Sequence, residues 1–263
     1  MAALVALAAV SAAAARPQDA ACPRKGTLGT SRLLEVDAAT FPRVGLKSFP
    51  QSLPLRDKEV VLTFDDGPWP PTTAKVLTAL AQECVHATFF LIGQSASEHP
   101  DLVKRIAAEG HMIGHHTWSH PSLKRIPPDA AVAQIDRGIA ADEKALHGVA
   151  TTTPSTPFFR FPGFESTPEL LDLLQSRGIA VFGADLWASD WQETMTPKQE
   201  LDLLTRRLTA AGKGIILLHD TKARTAAMLP AFLRFLREHD YHVVQVVPKG
   251  AEKAPAVDMT GAP

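Results

Sequence analysis

A chain of 263 residues, 45% of them hydrophobic and 21% charged, describes a globular protein able to bury a sizeable core as one large domain or two small ones. Lys+Arg number 27 against Asp+Glu 28, for a formal net charge of −1, and no basic run or aromatic–basic stripe interrupts that balance. Nucleic acid is therefore excluded as an expected partner.

Met1 to Ala20 is apolar and Ala-rich, and Ala13-Ala14-Ala15 offers a small-residue cleavage pattern. The stretch resembles the apolar and cleavage regions of a signal peptide and is too short to span a membrane well. The expected location is periplasmic or secreted. Cys22 and Cys84 are the two cysteines; in an exported protein they either pair or remain two thiols, and both readings stay open.

Residues 21–57, with Gly26, Gly29, Gly45 and four prolines, read as an irregular arm laid over a domain. From Glu59 the chain alternates. Strands are expected over 60–64, 87–92, 112–114, 158–161, 179–182, 214–218 and 241–247, and helices over 73–83, 100–109, 127–146, 168–176, 197–211 and 225–238. Repeated β-then-α units mean a parallel sheet covered by helices, hence an α/β barrel or a doubly wound sheet. The expected organisation is a signal-like segment 1–20, an arm 21–57, one domain over 58–248 and a loose tail 249–263.

The polar residues that stand out fall at or just after the carboxyl ends of these strands, the edge where α/β folds build their sites. Thr63-Phe64-Asp65-Asp66-Gly67 puts two adjacent carboxylates at a buried strand end. Two anions that close repel unless a cation sits between or beside them. Asp-Asp-Gly alone is common in solvated turns, but here it has company. Gly110 to Pro121 holds four histidines, among them His116 and His120, whose spacing of four brings both rings to one face of a helical turn. Two imidazoles and one carboxylate, from Asp65 or Asp66, make a catalytic zinc set with a position left open. His115 is the rival ligand, but its spacing of five from His120 points it elsewhere. Arg160, in an apolar run, needs a buried anion. Asp190-Trp191 offers a carboxylate to orient a histidine and an indole to line a sugar pocket. His219 closes the apolar strand Ile215 to Leu218.

Taken together, Thr63 to Gly67, His116-Thr117-Trp118-Ser119-His120, Arg160-Phe161-Pro162-Gly163, Asp190-Trp191 and Leu217-Leu218-His219 resemble the five ordered motifs of the polysaccharide deacetylases with a NodB homology domain, carbohydrate esterase family 4. The resemblance spans roughly Glu59 to Val247. It implies a distorted (β/α) barrel with fewer than eight regular units, a divalent metal (zinc), and an acetylated polysaccharide or oligosaccharide as substrate. Residue by residue, it implies Asp65 as general base and Asp66, His116 and His120 as metal ligands. Arg160 matches the residue that holds the base, His219 the general acid and Asp190 the group that orients it. Trp191 and Leu218 match the walls of the acetyl pocket, and the Gly163 N–H matches the oxyanion donor. Two positions depart from the family: Gly163 precedes Phe164 where an aromatic residue followed by Gly is frequent, and His115 stands where small or polar residues are usual. Both bear on substrate fit. The expected reaction is removal of acetyl groups from N-acetylated sugars. The rival readings are an O-acetyl (acetylxylan-type) esterase, an inactive carbohydrate-binding protein and a structural metal protein. Intact chemistry at all five motifs favours an enzyme.

Overall fold

The computed structural model describes residues 24–250. The signal-like segment, Cys22 and most of the expected tail lie outside the described residues. Cys84 is disulfide-bonded.

In chain order the elements are β1 (Thr30–Val36), β2 (Arg43–Val44), β3 (Glu59–Asp65), α1 (Thr72–Glu83), β4 (Thr88–Leu91), α2 (Gly93–Glu98), α3 (Pro100–Ala108) and β5 (Met112–His115). They continue with α4 (Pro128–His147), β6 (Phe158–Phe159), α5 (Pro168–Ser176), β7 (Ala180–Phe182), β8 (Leu186–Trp187), α6 (Pro197–Ala211), β9 (Gly214–His219), α7 (Ala223–Glu238) and β10 (His242–Pro248). Every strand pairing is parallel, in the order β1-β10-β3-β4-β5-β6-β7-β2, with β9 on β3 and β8 on β9. The sheet curls from β8 round to β2 without closing, a distorted (β/α) barrel. β1 and β10 branch away from β3 at Glu59 and Val60.

Strand alternation sorts the core into layers. Val61, Phe90, Phe158, Phe182 and Ile215 pack together on the concave side. Leu62, Phe64, Ile216 and Leu218 pack outward against Val76, Leu77 and Leu80 of α1 and Leu229, Phe232 and Leu233 of α7. Phe159 and Val181 meet α4 and α5 through Ile135, Ile139 and Leu174. Each such side chain is fully or almost fully buried, and each contributes about 1.5–3 kcal/mol relative to exposure. Because all strands run the same way, their carboxyl ends share one rim.

The arm is more regular than its composition suggests. β1 joins β10 along its length, and β2 joins β7. Arg32 of β1 donates from Nε and Nη2 to both oxygens of the buried Glu59, at 2.7 and 2.6 Å, a paired fork that pins the added strand to β3. β1 escapes sequence reading because it is a half-exposed edge strand, so its side chains show no clean alternation. The expected strand over 158–161 stops at Phe159; Pro162 cannot donate to a ladder and opens a short 3-10 turn, Pro162–Phe164. The helix α2 and the strands β2 and β8 are short elements without a periodic signal.

Candidate active site

Asp65 is the last residue of β3, and Asp66 turns out of the strand in the left-handed region at φ 78°. That turn lets adjacent carboxylates serve one cavity. Gly67 follows because only glycine fits: a Cβ there would lie 2.1 Å from Oδ2 of the buried Asp220.

Arg160 enters the barrel from the end of β6 and is wholly buried. Its Nη1 donates to Asp65 Oδ1 at 2.6 Å and to Thr63 Oγ1 at 2.8 Å. Its Nη2 donates to Gly183 O at 2.8 Å and its Nε to Phe182 O at 3.2 Å, while the guanidinium lies 4.3 Å over the Phe90 ring. A buried charge is tolerated when it is paired and its donors are satisfied, as here. Burial pushes the Asp65 carboxyl up from its ordinary value, against the pull of Arg160.

β5 sends two successive histidines to opposite sides. His115 points outward, where its Nδ1 is hydrogen-bonded to Asp142 Oδ2 of α4 at 2.7 Å. It is thereby removed from the metal candidates. His116 turns inward, and its Nδ1–H donates to Arg160 O at 2.7 Å. That bond fixes the tautomer and leaves the Nε2 lone pair facing the cavity. Burial pushes His116 down to about 3, so the ring is neutral.

His120 arrives by a different route from the expected helical turn. Residues 116–122 form a loop, with Thr117 at φ 70° and His120 at φ 59°, and His120 N–H donates to Thr117 Oγ1 at 3.0 Å. Gly138 of α4 lets this loop approach, since a Cβ there would sit 2.5 Å from the Thr117 carbonyl carbon. The loop still brings the two imidazoles together, with ring centroids 4.9 Å apart.

Asp66, His116 and His120 each offer one ligand atom, all within 4.8 Å of one another. Asp66 Oδ1 lies 3.6 Å from His116 Nε2 and 3.4 Å from His120 Nε2, and it is buried without a hydrogen-bond partner. Three converging lone pairs, one on an orphaned buried carboxylate oxygen, fit a divalent cation with a free coordination side.

Across the site, β3 and β9 are neighbours, and Asp65 stands in register with His219. His219 Nδ1–H donates to Asp190 Oδ1 at 2.8 Å, and Asp190 Oδ2 accepts from the His219 N–H at 2.7 Å and Thr225 Oγ1 at 2.8 Å. Burial pulls His219 down, but the Asp190 hydrogen bond and the charges of Asp190, Asp66 and Asp65 outweigh it and push the imidazole up to about 9. Its Nε2 faces Asp66 Oδ2 at 4.0 Å. The Trp191 indole stands edge-on to His219 at 6.0 Å and is half-exposed.

One expected wall residue sits apart from this group. Leu218 packs outward with Phe64 in the helix-side core, since alternation along β9 turns it away from His219. Leu217, paired with Thr63, takes the inward place. Gly163 is exposed on the 3-10 turn beyond Arg160, at φ 58°. Sequence reasoning gave no role to Thr63, which receives Arg160, or to Asp220, held by Thr73 Oγ1 at 2.5 Å and pushed up to about 7 by burial. The signal for both was position: each is a polar residue inside or directly after an apolar strand run.

The profile of the polysaccharide deacetylase family matches residues 52–182. A peptidoglycan-N-acetylglucosamine deacetylase of Bacillus cereus is 31% identical over 246 residues, which cover 90% of this chain and 88% of that one. The chain belongs to the polysaccharide deacetylase family. Another member, a chitooligosaccharide deacetylase of Rhizobium leguminosarum bv. trifolii, is 32% identical over 62% of this chain and 72% of its own. Among solved structures of the family, the peptidoglycan deacetylase of Bdellovibrio bacteriovorus superposes with a TM-score of 0.74 at 30% identity. That match covers 86% of this chain and 61% of the other, so the chain spans under two thirds of that relative.

Proposed function

We propose that this polysaccharide deacetylase hydrolyses the N-acetyl groups of a glycan built from N-acetylated sugars, as peptidoglycan and chitin-type oligosaccharides are, and that it does so with zinc. The observation that supports the reading is that Asp65 and His219 stand in register on neighbouring strands beside the Asp66–His116–His120 set, Asp65 Oδ2 3.8 Å from His116 Nε2 and His219 Nε2 4.0 Å from Asp66 Oδ2. When bound there, the metal supplies Lewis acidity, lowering the pKa of a water toward about 7 and polarising the acetyl carbonyl.

The chain's own residues handle the protons. Asp65 has Oδ1 committed to Arg160, while Oδ2 lies 3.8 Å from His116 Nε2, free to take a proton from the attacking water. Arg160 keeps that carboxylate from rotating. An amide nitrogen leaves poorly unless protonated. His219 carries the proton on Nε2 for it, and Asp190 holds Nδ1–H so that the ring presents the right nitrogen. We assign the Gly163 N–H to the oxyanion, and Trp191 with Leu217 to the walls around the acetyl group. A closed structural metal site would leave no such acid and base beside three ligands.

Residues 58–248 then form the deacetylase domain, with the arm contributing two strands to its sheet. A glycan substrate and the signal-like segment agree on export. The test is acetate release by the zinc-loaded chain from chitin oligosaccharides, peptidoglycan and acetylated xylan. Release from N-acetylated substrates, abolished by a chelator and restored by zinc, is expected. Release from xylan alone would make it an ester deacetylase, and glycan binding without acetate would make it a binding protein. His116→Ala should lose zinc; stoichiometric zinc in that variant would overturn the ligand set.

A further inference from the structure

Between Asp190 and α6 the chain makes a loop whose first residue is Trp191. Ser189 turns it at φ 60°, Gln192 N–H donates to Ser189 O at 3.0 Å, and Met195 N–H donates to Gln192 O at 3.1 Å. Residues 191–194 are exposed, so packing does little to hold the loop.

One side chain spans it. Arg224, in the first turn of α7, donates from Nη1 to Gln192 O at 2.6 Å and to Met195 O at 3.4 Å, and its Nε faces Glu200 Oε1 of α6 at 3.6 Å. Glu200 is wholly buried, and neither carboxylate oxygen has a hydrogen-bond partner. Such a group costs free energy that an apolar residue would not. Burial and the neighbouring Asp190 push it up to about 7, with Arg224 as the opposing charge. The next residue, Thr225, donates to Asp190 Oδ2. Consecutive residues of α7 thus pin the chain on both sides of Trp191.

We propose that Arg224, backed by Glu200, is a positioning residue that fixes the Trp191 loop so the indole stands at His219 as a wall for the incoming sugar ring. An indole offers a broad apolar face with a polar edge, the surface a pyranose ring packs on. The proposal rests on the glycan-deacetylase reading.

The test uses full-length, zinc-loaded enzyme and an N-acetylglucosamine oligomer. Arg224→Met should raise KM about tenfold while kcat falls less than about twofold, the signature of lost binding rather than lost chemistry. In a Trp191→Ala background the same change should add nothing. Arg224→Lys, with its charge but no fork, should recover part of the loss, and it carries the test if Arg224→Met fails to fold. Additive effects in the double variant, or an unchanged KM, would overturn the proposal. A second readout is independent of turnover. With fluorotryptophan label, the Trp191 resonance, identified by its loss in Trp191→Phe, should shift or broaden in Arg224→Met. An unmoved resonance would overturn the positioning role. A wild-type enzyme that releases no acetate would sink the glycan reading instead, leaving the resonance to judge the loop.

Discussion

At the scale of single residues, the proposed mechanism divides the labour between two groups, each held by an oppositely charged partner. Asp65 is held by a buried arginine, and His219 is held by the buried Asp190. The second pair makes a sharp prediction. If His219 protonates the departing nitrogen, His219→Ala should slow amide cleavage by about 10²–10⁴ yet barely affect an aryl acetate, whose leaving group departs as an anion. Equal losses on both substrates would reassign His219 to positioning. The pH sign follows from a raised pKa: the imidazolium persists below about 9 and is lost as pH rises through it. A bound cation beside Asp66 pulls that value down, so the alkaline limb of amide turnover falls below it. Asp190→Asn should move the limb to still lower pH, by removing the hydrogen bond and the charge that raise it.

At the scale of elements, geometry reaches the site through loops that tolerate unusual backbone. The β3–α1 turn is the tightest case. In Gly67→Ala the new Cβ would lie 2.1 Å from Asp220 Oδ2, and Asp220 is buried and tied to Thr73. Overpacking of this kind costs about 1–3 kcal/mol. Since Asp66, a proposed metal ligand, immediately precedes the strained residue, affinity for a divalent metal should fall along with Tm. Gly67→Ala/Asp220→Ala should recover much of both, because the clash needs both side chains. Additive losses in the double variant would show that the glycine serves some other purpose. These elements also show what sequence makes legible. The buried strands β3 and β9, the amphipathic helices α1, α4 and α6, and the gathering of Asp65, Asp66, His116, His120, Arg160, Asp190 and His219 at one rim could all be read from spacing and motif order. The local paths could not. The His116–His120 pairing came through two left-handed residues rather than a helical turn, because tertiary contact with Gly138 overrode the periodic reading. Leu218 was placed on the wrong face because a motif names a residue without fixing the phase of its strand. The edge strand β1 had no buried face to announce it.

At the scale of the whole molecule, the two ends of the barrel carry different titrations. The carboxyl rim holds the proposed active site, while the opposite end, where β5 begins, buries His111 against His86 and Phe89, with ring centroids 5.8 and 5.2 Å apart. His111 Nδ1 accepts the Ala87 N–H at 3.1 Å, so the neutral ring is the bonded form. Burial, then the charges of His86 and Arg105, push it down to about 3. The unfolded chain protonates this histidine near pH 6.5 and the folded one does not, so its stabilising contribution is complete above about 6.5 and is lost as pH falls toward 3. The buried carboxyls work the other way. Asp220 and Glu200 are pushed up to about 7 by burial, so the folded state keeps protons there that the unfolded state releases near pH 4, and their contribution fades as pH rises toward 7. Between about pH 4.5 and 6.5 the two carboxyls outweigh the one histidine, so these three groups together place the stability maximum near about pH 4. Measured as urea midpoints on metal-free protein, stability should therefore fall on both sides of that maximum. His111→Gln, which keeps an acceptor for Ala87 but does not titrate in this range, should flatten the acid limb below about pH 4 and steepen the fall between about pH 4.5 and 6.5. An acid limb as steep in His111→Gln as in the wild type would move the origin of acid sensitivity to the histidines of the catalytic rim.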